Sequence, residues 1–416
     1  MIRRVTIIGG GVVGLASALA LAQRDFAVTV VDNDSGRQSA SWGNAGHVAA
    51  EQVEPLASRA AIRSAPRRLF SRNGALALPP TQWRHWLPFA LRMLRAAAPD
   101  RFETGKTALS SIVAQAMPAW RRLAADLSVA GLLREDGHIV TWSTPEAARV
   151  GRAAWTTVDT GAARFHDASP EDFAALRQLG ISPAGAIRFT GTGQIADLGM
   201  LAEAMEAALR DAGGRIVRGQ ARLALRGREA VLSIDGEPAT DPGLLVVAAG
   251  VRSGALLKPL GHRAPIVAER GYHIRAAAHD WPADMPPLVF EDRSMIVTRY
   301  ADCVQAASFV ELGDPDAPPD PAKWARLEAH VAALGLPMRA PFARWMGIRP
   351  TLPDYLPAIG ASRRAGNLLY AFGHQHLGLT LAPVTGEIIA ALATNVQPAI
   401  DITPFDIGRF ERRGQT

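Results

Sequence analysis

The sequence predicts an α/β protein: a nucleotide-binding domain into which a second, mainly antiparallel α+β domain is inserted. Three observations carry that expectation. A strand, tight turn, helix and strand open the chain at residues 4–32. A fully apolar strand at 244–248 ends on glycine. Between about 262 and 312 the pattern changes to alternating apolar and polar residues, as in Ser294-Met-Ile-Val-Thr-Arg-Tyr300. Continuous apolar runs suit a parallel sheet covered on both faces, and alternation suits an antiparallel sheet with one wet face.

The opening unit is the most specific. Residues 5–8 form an apolar run, Gly9 to Gly14 the turn, 15–23 a helix of small residues, and 28–31 a second buried strand. Gly9-Gly-Gly-Val-Val-Gly14 fits G-x-G-x-x-G, placed directly after a strand and opening a helix. Gly9 permits the tight turn, Gly11 lets the backbone approach a pyrophosphate, and Gly14 with Ala18 allows the helix to pack closely on the strand. Asp32 ends the second strand eighteen residues past Gly14, close to the roughly twenty expected for the acid that binds a ribose hydroxyl. A carboxylate there would repel a phosphorylated ribose, which argues against NADP. A Rossmann-type dinucleotide site is therefore expected at the N-terminus.

Further along, Asp197 is a good N-cap for a helix with Leu198, Leu201, Met205 and Leu209 on one face, stopping at Gly213-Gly214. Strands at 215–218 and 244–248 follow, then the alternating stretch, and a loop dense in Asp and Pro at 314–321. Gly366 to Gly373 is another buried run, followed by Gly373-His-Gln-His-Leu-Gly-Leu-Thr380 and a helix from about Ala382 to Leu392. The simplest domain organisation is a nucleotide-binding domain of residues 1–55, 195–260 and 341–416, with a substrate domain of 56–194 and 261–340.

Composition narrows the function classes. The 416 residues are 48% hydrophobic and 20% charged, an ordinary globular balance. One cysteine, Cys303, leaves no pair for an internal disulfide and no thiol cluster for zinc or iron–sulfur, so a reducing compartment is expected. The charge of +6 would ordinarily suggest nucleic acid, but 42 of the 45 basic residues are scattered arginines without interleaved aromatics. No nucleic-acid partner and no metal are expected. No run approaches the roughly 20 apolar residues of a bilayer span. A cytoplasmic protein, or one peripheral on the inner face of the cytoplasmic membrane, is the expectation. Trp83, Trp86, Leu87 and Phe89 among Arg84, Arg92 and Arg95 could form a basic amphipathic helix on an anionic leaflet, or a buried helix with exposed arginines.

Three further motifs carry a family resemblance: Ser41-Trp-Gly-Asn-Ala-Gly-His47, Gly347-Ile-Arg-Pro-Thr-Leu-Pro-Asp-Tyr-Leu-Pro-Ala-Ile-Gly360 and Gly373 to Thr380. Together and in this order they resemble the D-amino acid oxidase superfamily of flavoproteins, most of all its bacterial D-amino acid dehydrogenase and D-hydroxyproline dehydrogenase-like branch, with glycine oxidase and sarcosine oxidase as cousins. The resemblance implies FAD, held non-covalently, and oxidation of a small D-amino or cyclic D-imino acid of D-proline or D-hydroxyproline type. The Cα hydrogen would leave as hydride to flavin N5, with oxygen, a quinone or a redox protein as the final acceptor. It implies cofactor contacts from Gly9, Gly11, Val13, Gly14, Asp32, Asn33, Ser41, Asn44, Ala45, Gly46, His47, Ala249, Gly250, Gly347, Gly373, His376, Leu377, Gly378 and Thr380. Arg349 of Gly347-Ile-Arg349-Pro350 would fork onto the substrate carboxylate, with pairing to Asp354 as the structural alternative. Tyr272 of Glu269-Arg-Gly-Tyr-His273 would hydrogen-bond the carboxylate beside Arg349, with an ordinary strand tyrosine as the alternative, and His273 and Arg299 would line the pocket. A glycine/sarcosine-oxidase-like enzyme and a non-catalytic FAD-containing subunit of an oxidase complex are the competing readings.

Overall fold

The apolar run at the N-terminus becomes the centre of a six-stranded sheet. In the computed structural model, which describes residues 3–411, strand Arg3–Ile8 runs parallel to Phe26–Asp32 on one side and to Leu244–Val247 on the other. Arg215–Arg218 and Leu368–Phe372 extend the sheet in parallel, and Ala358–Ala361 closes one edge antiparallel. Val5, Ile7, Ile8, Val28, Val30 and Val31 are all buried, which is why these strands show no alternation. The helix after the glycine turn, Val12–Ala22, begins earlier than its small-residue run indicates, because Gly11 is extended and serves as its N-cap. Asp197 caps Leu198–Asp211 as expected, its carboxylate accepting from Met200 N at 2.6 Å.

The C-terminal helix Gly378–Ala393 crosses Val12–Ala22 so closely that a Cβ on Gly386 would sit 2.6 Å from Ala16 O. It starts at Gly378 and not near Ala382, with Pro383 inside its second turn. Proline there donates nothing to the carbonyl four residues back, that of Leu379. The indole of Trp120 fills the gap, Nε1 donating to Leu379 O at 3.0 Å, and the freed acceptor is satisfied. The segment Gln375–Ala393 has the length and hydropathy of a membrane span, but 67% of it is buried inside the protein.

Trp120 belongs to helix Ala116–Leu127, which with Pro99–Val113 packs its apolar side into the same core as Leu15, Leu19, Ile388 and Ile389. Residues 99–127 thus join the core of the dinucleotide domain, although they lie inside the span expected for the substrate domain. The boundary expected at 341 also moves. Strand Ala343–Thr351 pairs antiparallel with Val267–Ala277, so the motif containing Arg349 belongs to the second sheet.

That sheet continues through Cys303–Gly313, Met295–Arg299, Leu288–Phe290, His138–Trp142, Gly185–Thr190 and Arg164–Asp167, mostly antiparallel. A small third sheet of His47–Val48, Gly193–Ile195 and Leu133–Arg134 joins the two large ones. The hairpin Ala221–Arg226 and Glu229–Ile234 has no counterpart in the sequence expectations, because exposed Arg222, Arg226, Arg228 and Glu229 mask its alternation.

Trp120→Phe keeps most of the packing and removes the donor, so it should cost about 1–3 kcal/mol. In a Pro383→Ala background the restored backbone N–H can serve Leu379 O, and the cost of Trp120→Phe should shrink. Thermal unfolding of the four proteins in a double-mutant cycle measures this coupling; equal costs in both backgrounds would show that the indole bond contributes nothing.

Candidate active site

One continuous cleft of about 1720 Å³ runs from the glycine turn to the face of the second sheet. Its first part is a cradle. Gly9 sits at φ +111°, its N–H donating to Val31 O at 2.9 Å, and a Cβ there would lie 2.4 Å from Ala248 O. A Cβ on Gly14 would lie 1.9 Å from Gly9 O, so this glycine is required by helix packing and not by ligand contact. At Gly11 a Cβ would meet Ser41 Oγ at 2.9 Å, and that hydroxyl accepts from Val12 N at 3.1 Å. Asp32 lies at the end of its strand with Oδ2 3.1 Å from Arg218 Nη1, and burial pushes its carboxyl above the ordinary value. Asn33, Val13, Ala249 and Gly250 line the same end. The glycine cradle, the open first turn of the helix and the strand-end carboxylate fit the pyrophosphate and ribose of a dinucleotide.

The middle of the cleft is lined by Gly43, Asn44 and Ala45. Their backbone carbonyls are held by side chains of the second sheet. His273 Nδ1 reaches Gly43 O at 3.1 Å, and because a carbonyl only accepts, this nitrogen carries the proton. Tyr300 Oη and Gln305 Nε2 both donate to Asn44 O, at 2.7 and 2.9 Å, and Thr298 Oγ1 donates to Ala45 O at 2.8 Å. Arg275 Nε donates to Gln305 Oε1 at 2.8 Å, which fixes the amide's orientation. Trp345 stacks on His273 at 4.8 Å, and its indole occupies the space that a Cβ on Gly43 or Gly347 would need. None of Thr298, Tyr300, Gln305 and Trp345 is signalled by a motif; the polar inward positions at 298 and 305 in an otherwise apolar sheet are the only trace.

Arg349 faces the cleft from the neighbouring strand. Its Nη1 donates to Glu269 Oε1 at 3.0 Å and to Phe309 O at 3.4 Å, while Glu269 Oε2 accepts from Thr351 Oγ1. Asp354 is instead bound by Arg409 at 2.7 Å, so the Arg349–Asp354 pair does not form. Among the described residues Nη2 of Arg349 makes no hydrogen bond, and it lies against Gly271, where a Cβ would be 2.3 Å from it. Glycine at 271 is therefore room for the guanidinium. Tyr272 turns the other way: its hydroxyl donates to Glu311 and accepts from Asp320 N, both at 3.1 Å, beneath Trp324. It cannot bind a carboxylate beside Arg349. Arg299 is bonded to Trp281 O and is not part of the cleft wall.

The C-terminal loop contributes His376 and Gly378 to the cleft, but Gly46, Gly373, Leu377 and Thr380 lie behind its wall. Gly46 (φ +73°) and Gly373 (φ +79°) are needed for backbone turns, and Leu377 is core. Thr380 Oγ1 accepts from Ala49 N at 2.9 Å, tying the helix start to the segment that follows Gly46. His374 bonds Thr385 Oγ1, and His376 Nε2 contacts Gln52 Oε1. Burial pushes His273 and His374 down to about 3 and His376 to about 4, so all three are neutral imidazoles at neutral pH.

Because His273 and His374 titrate near 6.5 when unfolded, the unfolded state binds more protons between about pH 3 and 6.5. The stability they contribute is complete above about pH 6.5 and is lost as pH falls, so Tm should decline steadily below that value; a flat Tm from pH 7 to 5 would contradict their burial as neutral groups. In the cradle, Gly11→Val should abolish bound dinucleotide, and Asp32→Ala should weaken it by about 1–3 kcal/mol in a cofactor titration. An unchanged dissociation constant would remove Asp32 from the site.

A family model described as FAD dependent oxidoreductase matches residues 4–392. The chain is 30% identical to a D-amino-acid oxidase of Bradyrhizobium diazoefficiens, over 98% of this chain and 99% of that one. It is 27% identical to a D-amino acid dehydrogenase of Rhodopseudomonas palustris, over 98% of each. Among solved structures, glycine oxidase from Geobacillus kaustophilus superimposes with a TM-score of 0.73 at 21% identity, covering 98% of this chain and 99% of that one. Iminodiacetate oxidase from Chelativorans gives 0.69 at 18%, covering 97% and 98%. FAD is the dinucleotide that the cradle takes, and the chain belongs to the family of FAD-dependent oxidoreductases.

Proposed function

We propose that the chain oxidises a small D-amino acid or cyclic D-imino acid, of the D-proline or D-hydroxyproline type, at its Cα. Arg349 is the observation that carries the reading: a guanidinium on the cleft wall, with Nη1 held by buried Glu269 and Nη2, which makes no hydrogen bond among the described residues, lying over Gly271. A planar fork matches a carboxylate in two parallel hydrogen bonds, which an ammonium cannot do. The relatives named D-amino-acid oxidase and D-amino acid dehydrogenase support a D-amino acid substrate. A glycine/sarcosine-oxidase-like substrate would use the same anchor and differ only in the substituents on Cα and nitrogen.

Bound FAD supplies the oxidant, accepting hydride from the substrate Cα. The chain supplies position and electrostatics. Arg349 fixes the carboxylate and so restricts the direction of the Cα–H bond. Glu269, bonded by Arg349 Nη1 and Thr351 Oγ1, fixes the orientation of the guanidinium that receives the carboxylate. His273 and His376 present uncharged rings to the cleft, and neither competes for the proton that the substrate amine must lose. The imine formed is released to water or cyclises. FAD is bound non-covalently in this reading, since Cys303 is not on the cleft wall and burial pushes its thiol up to about 12.

The electron acceptor in this reading is a quinone reached at a membrane surface. Residues 55–99 contain eight arginines and no acidic residue. Helix Trp83–Ala96 buries Phe89 but exposes Trp83, Leu87, Leu91 and Leu94, at 50%, 36%, 53% and 51%. Exposed Arg84 and Arg95 flank this stripe, and Ala90, Met93 and Leu94 line the mouth of the cleft. An apolar stripe inside a field of one sign suits an anionic leaflet.

Arg349→Lys should lower kcat/KM by about ten- to hundredfold, because losing one charge-assisted bond costs roughly 1.5–3 kcal/mol. Arg349→Ala should lose more, with FAD content intact in both. Benzoate should perturb the flavin spectrum of the wild type and leave that of the alanine variant unchanged. Wild-type turnover in Arg349→Ala would place the anchor elsewhere. For the surface, the protein should float with anionic liposomes at low salt and release as salt rises, while Leu91→Glu/Leu94→Glu should stay unbound; no association of wild type at low salt would exclude the leaflet.

A further inference from the structure

Two imidazoles and a carboxylate meet where the segment following Gly46 leaves the cleft and crosses the substrate domain. His47 and Glu51 come from that segment, and His138 from strand His138–Trp142 of the second sheet. One ligand-capable atom from each lies within 4.8 Å of the other two. His47 Nε2 is 3.1 Å from Glu51 Oε1, and the His47 and His138 rings meet edge to face with centroids 4.6 Å apart. Glu51 and His138 are 3% and 2% exposed.

This cluster leaves polar atoms unsatisfied. Among the described residues His47 Nδ1 and Glu51 Oε2 are buried without a hydrogen-bond partner. Each such atom has lost its hydrogen bond to water with no replacement from the protein, and a bound ion is one of the few explanations for such a pair. His138 Nδ1 bonds Thr192 Oγ1 at 3.1 Å and its ring stacks on Phe189 at 4.5 Å. Its orientation is thereby set by an outer hydrogen bond, as is usual for a ligating histidine.

Bonds of about 2.1 Å at a tetrahedral angle put two ligand atoms about 3.4 Å apart. The 3.1 Å separation of His47 Nε2 and Glu51 Oε1 fits such a pair, and the third ligand atom, within 4.8 Å of the others, has to approach by up to about 1.4 Å. Against the expectation of no metal, we propose that His47, Glu51 and His138 bind one divalent cation of the zinc class, which two imidazoles and one carboxylate favour over calcium or magnesium. The ion fastens the segment after the Asn44–Gly46 turn to the substrate sheet, next to the flavin cleft but outside the substrate anchor.

The test uses holoenzyme stripped with a chelator, re-equilibrated with zinc and freed of excess by gel filtration. Elemental analysis should find one zinc per chain, and adding zinc should raise Tm. Glu51→Gln and His138→Gln should each reduce retained zinc at least tenfold while still purifying with flavin. A wild type that retains no zinc, or equal retention in wild type and both variants, overturns the site. If a variant fails to fold, competition between the wild type and a chromophoric zinc chelator decides: zinc withdrawn from the chelator at one equivalent supports the site, and none withdrawn overturns it.

Discussion

The hydrogen-bonded seam along Gly43, Asn44 and Ala45 is the constraint on which the rest of the molecule depends. These carbonyls belong to a segment leaving the dinucleotide domain, while every donor that holds them, His273, Thr298, Tyr300 and Gln305, stands on the substrate sheet. Each buried bond contributes only about 1 kcal/mol net, but leaving one acceptor unpaired costs more. The segment consequently has one position relative to both domains. That position places the wall of the cleft between the glycine cradle and Arg349, so the two ends of the cleft are aligned by backbone acceptors and not by a mobile loop. Thr380 adds the third fastening, through Ala49 N.

A second theme is the treatment of charge. His273 and His376 are held neutral by burial, and the cleft's guanidinium is balanced by a carboxylate that is itself satisfied by Thr351. A site that moves hydride needs no acid or base of its own, provided that the carboxylate is gripped and the reacting bond is aimed. The Glu269–Arg349 pair meets both needs without leaving a lone buried charge, which would be far more costly than the paired ions.

How much of this was legible in the chain follows from the range of each interaction. The cradle was readable because its determinants are local: three glycines required by backbone approach within one turn, and a strand-end acid at a fixed spacing. Arg349 was readable through its motif, but its true partner was not, because Glu269 is eighty residues away in sequence and becomes a neighbour only through strand register. Tyr272 was misjudged for a different reason: Glu269 and Gly271 meet Arg349 and His273 meets Gly43, while Arg270 and Tyr272 both reach Glu311 on the other face, so the alternation of the strand itself turns Tyr272 away from the anchor. The limit of range that hid Glu269 also hid Trp120, whose value lies in one carbonyl freed by Pro383, and displaced the boundary at 341, where the strand's own pattern does not say which sheet it joins.

The central claim is that a flavin and an amino-acid carboxylate anchor share this cleft. Anaerobic mixing of the purified holoenzyme with paired D- and L-enantiomers, proline and hydroxyproline included, tests it most directly, read as loss of the flavin's visible absorbance. Rapid bleaching by at least one D-amino or D-imino acid, and slow or no bleaching by its L-enantiomer, is the predicted result. A flavin that stays oxidised with every member of the panel would contradict the account and identify the chain as a flavin carrier without this chemistry.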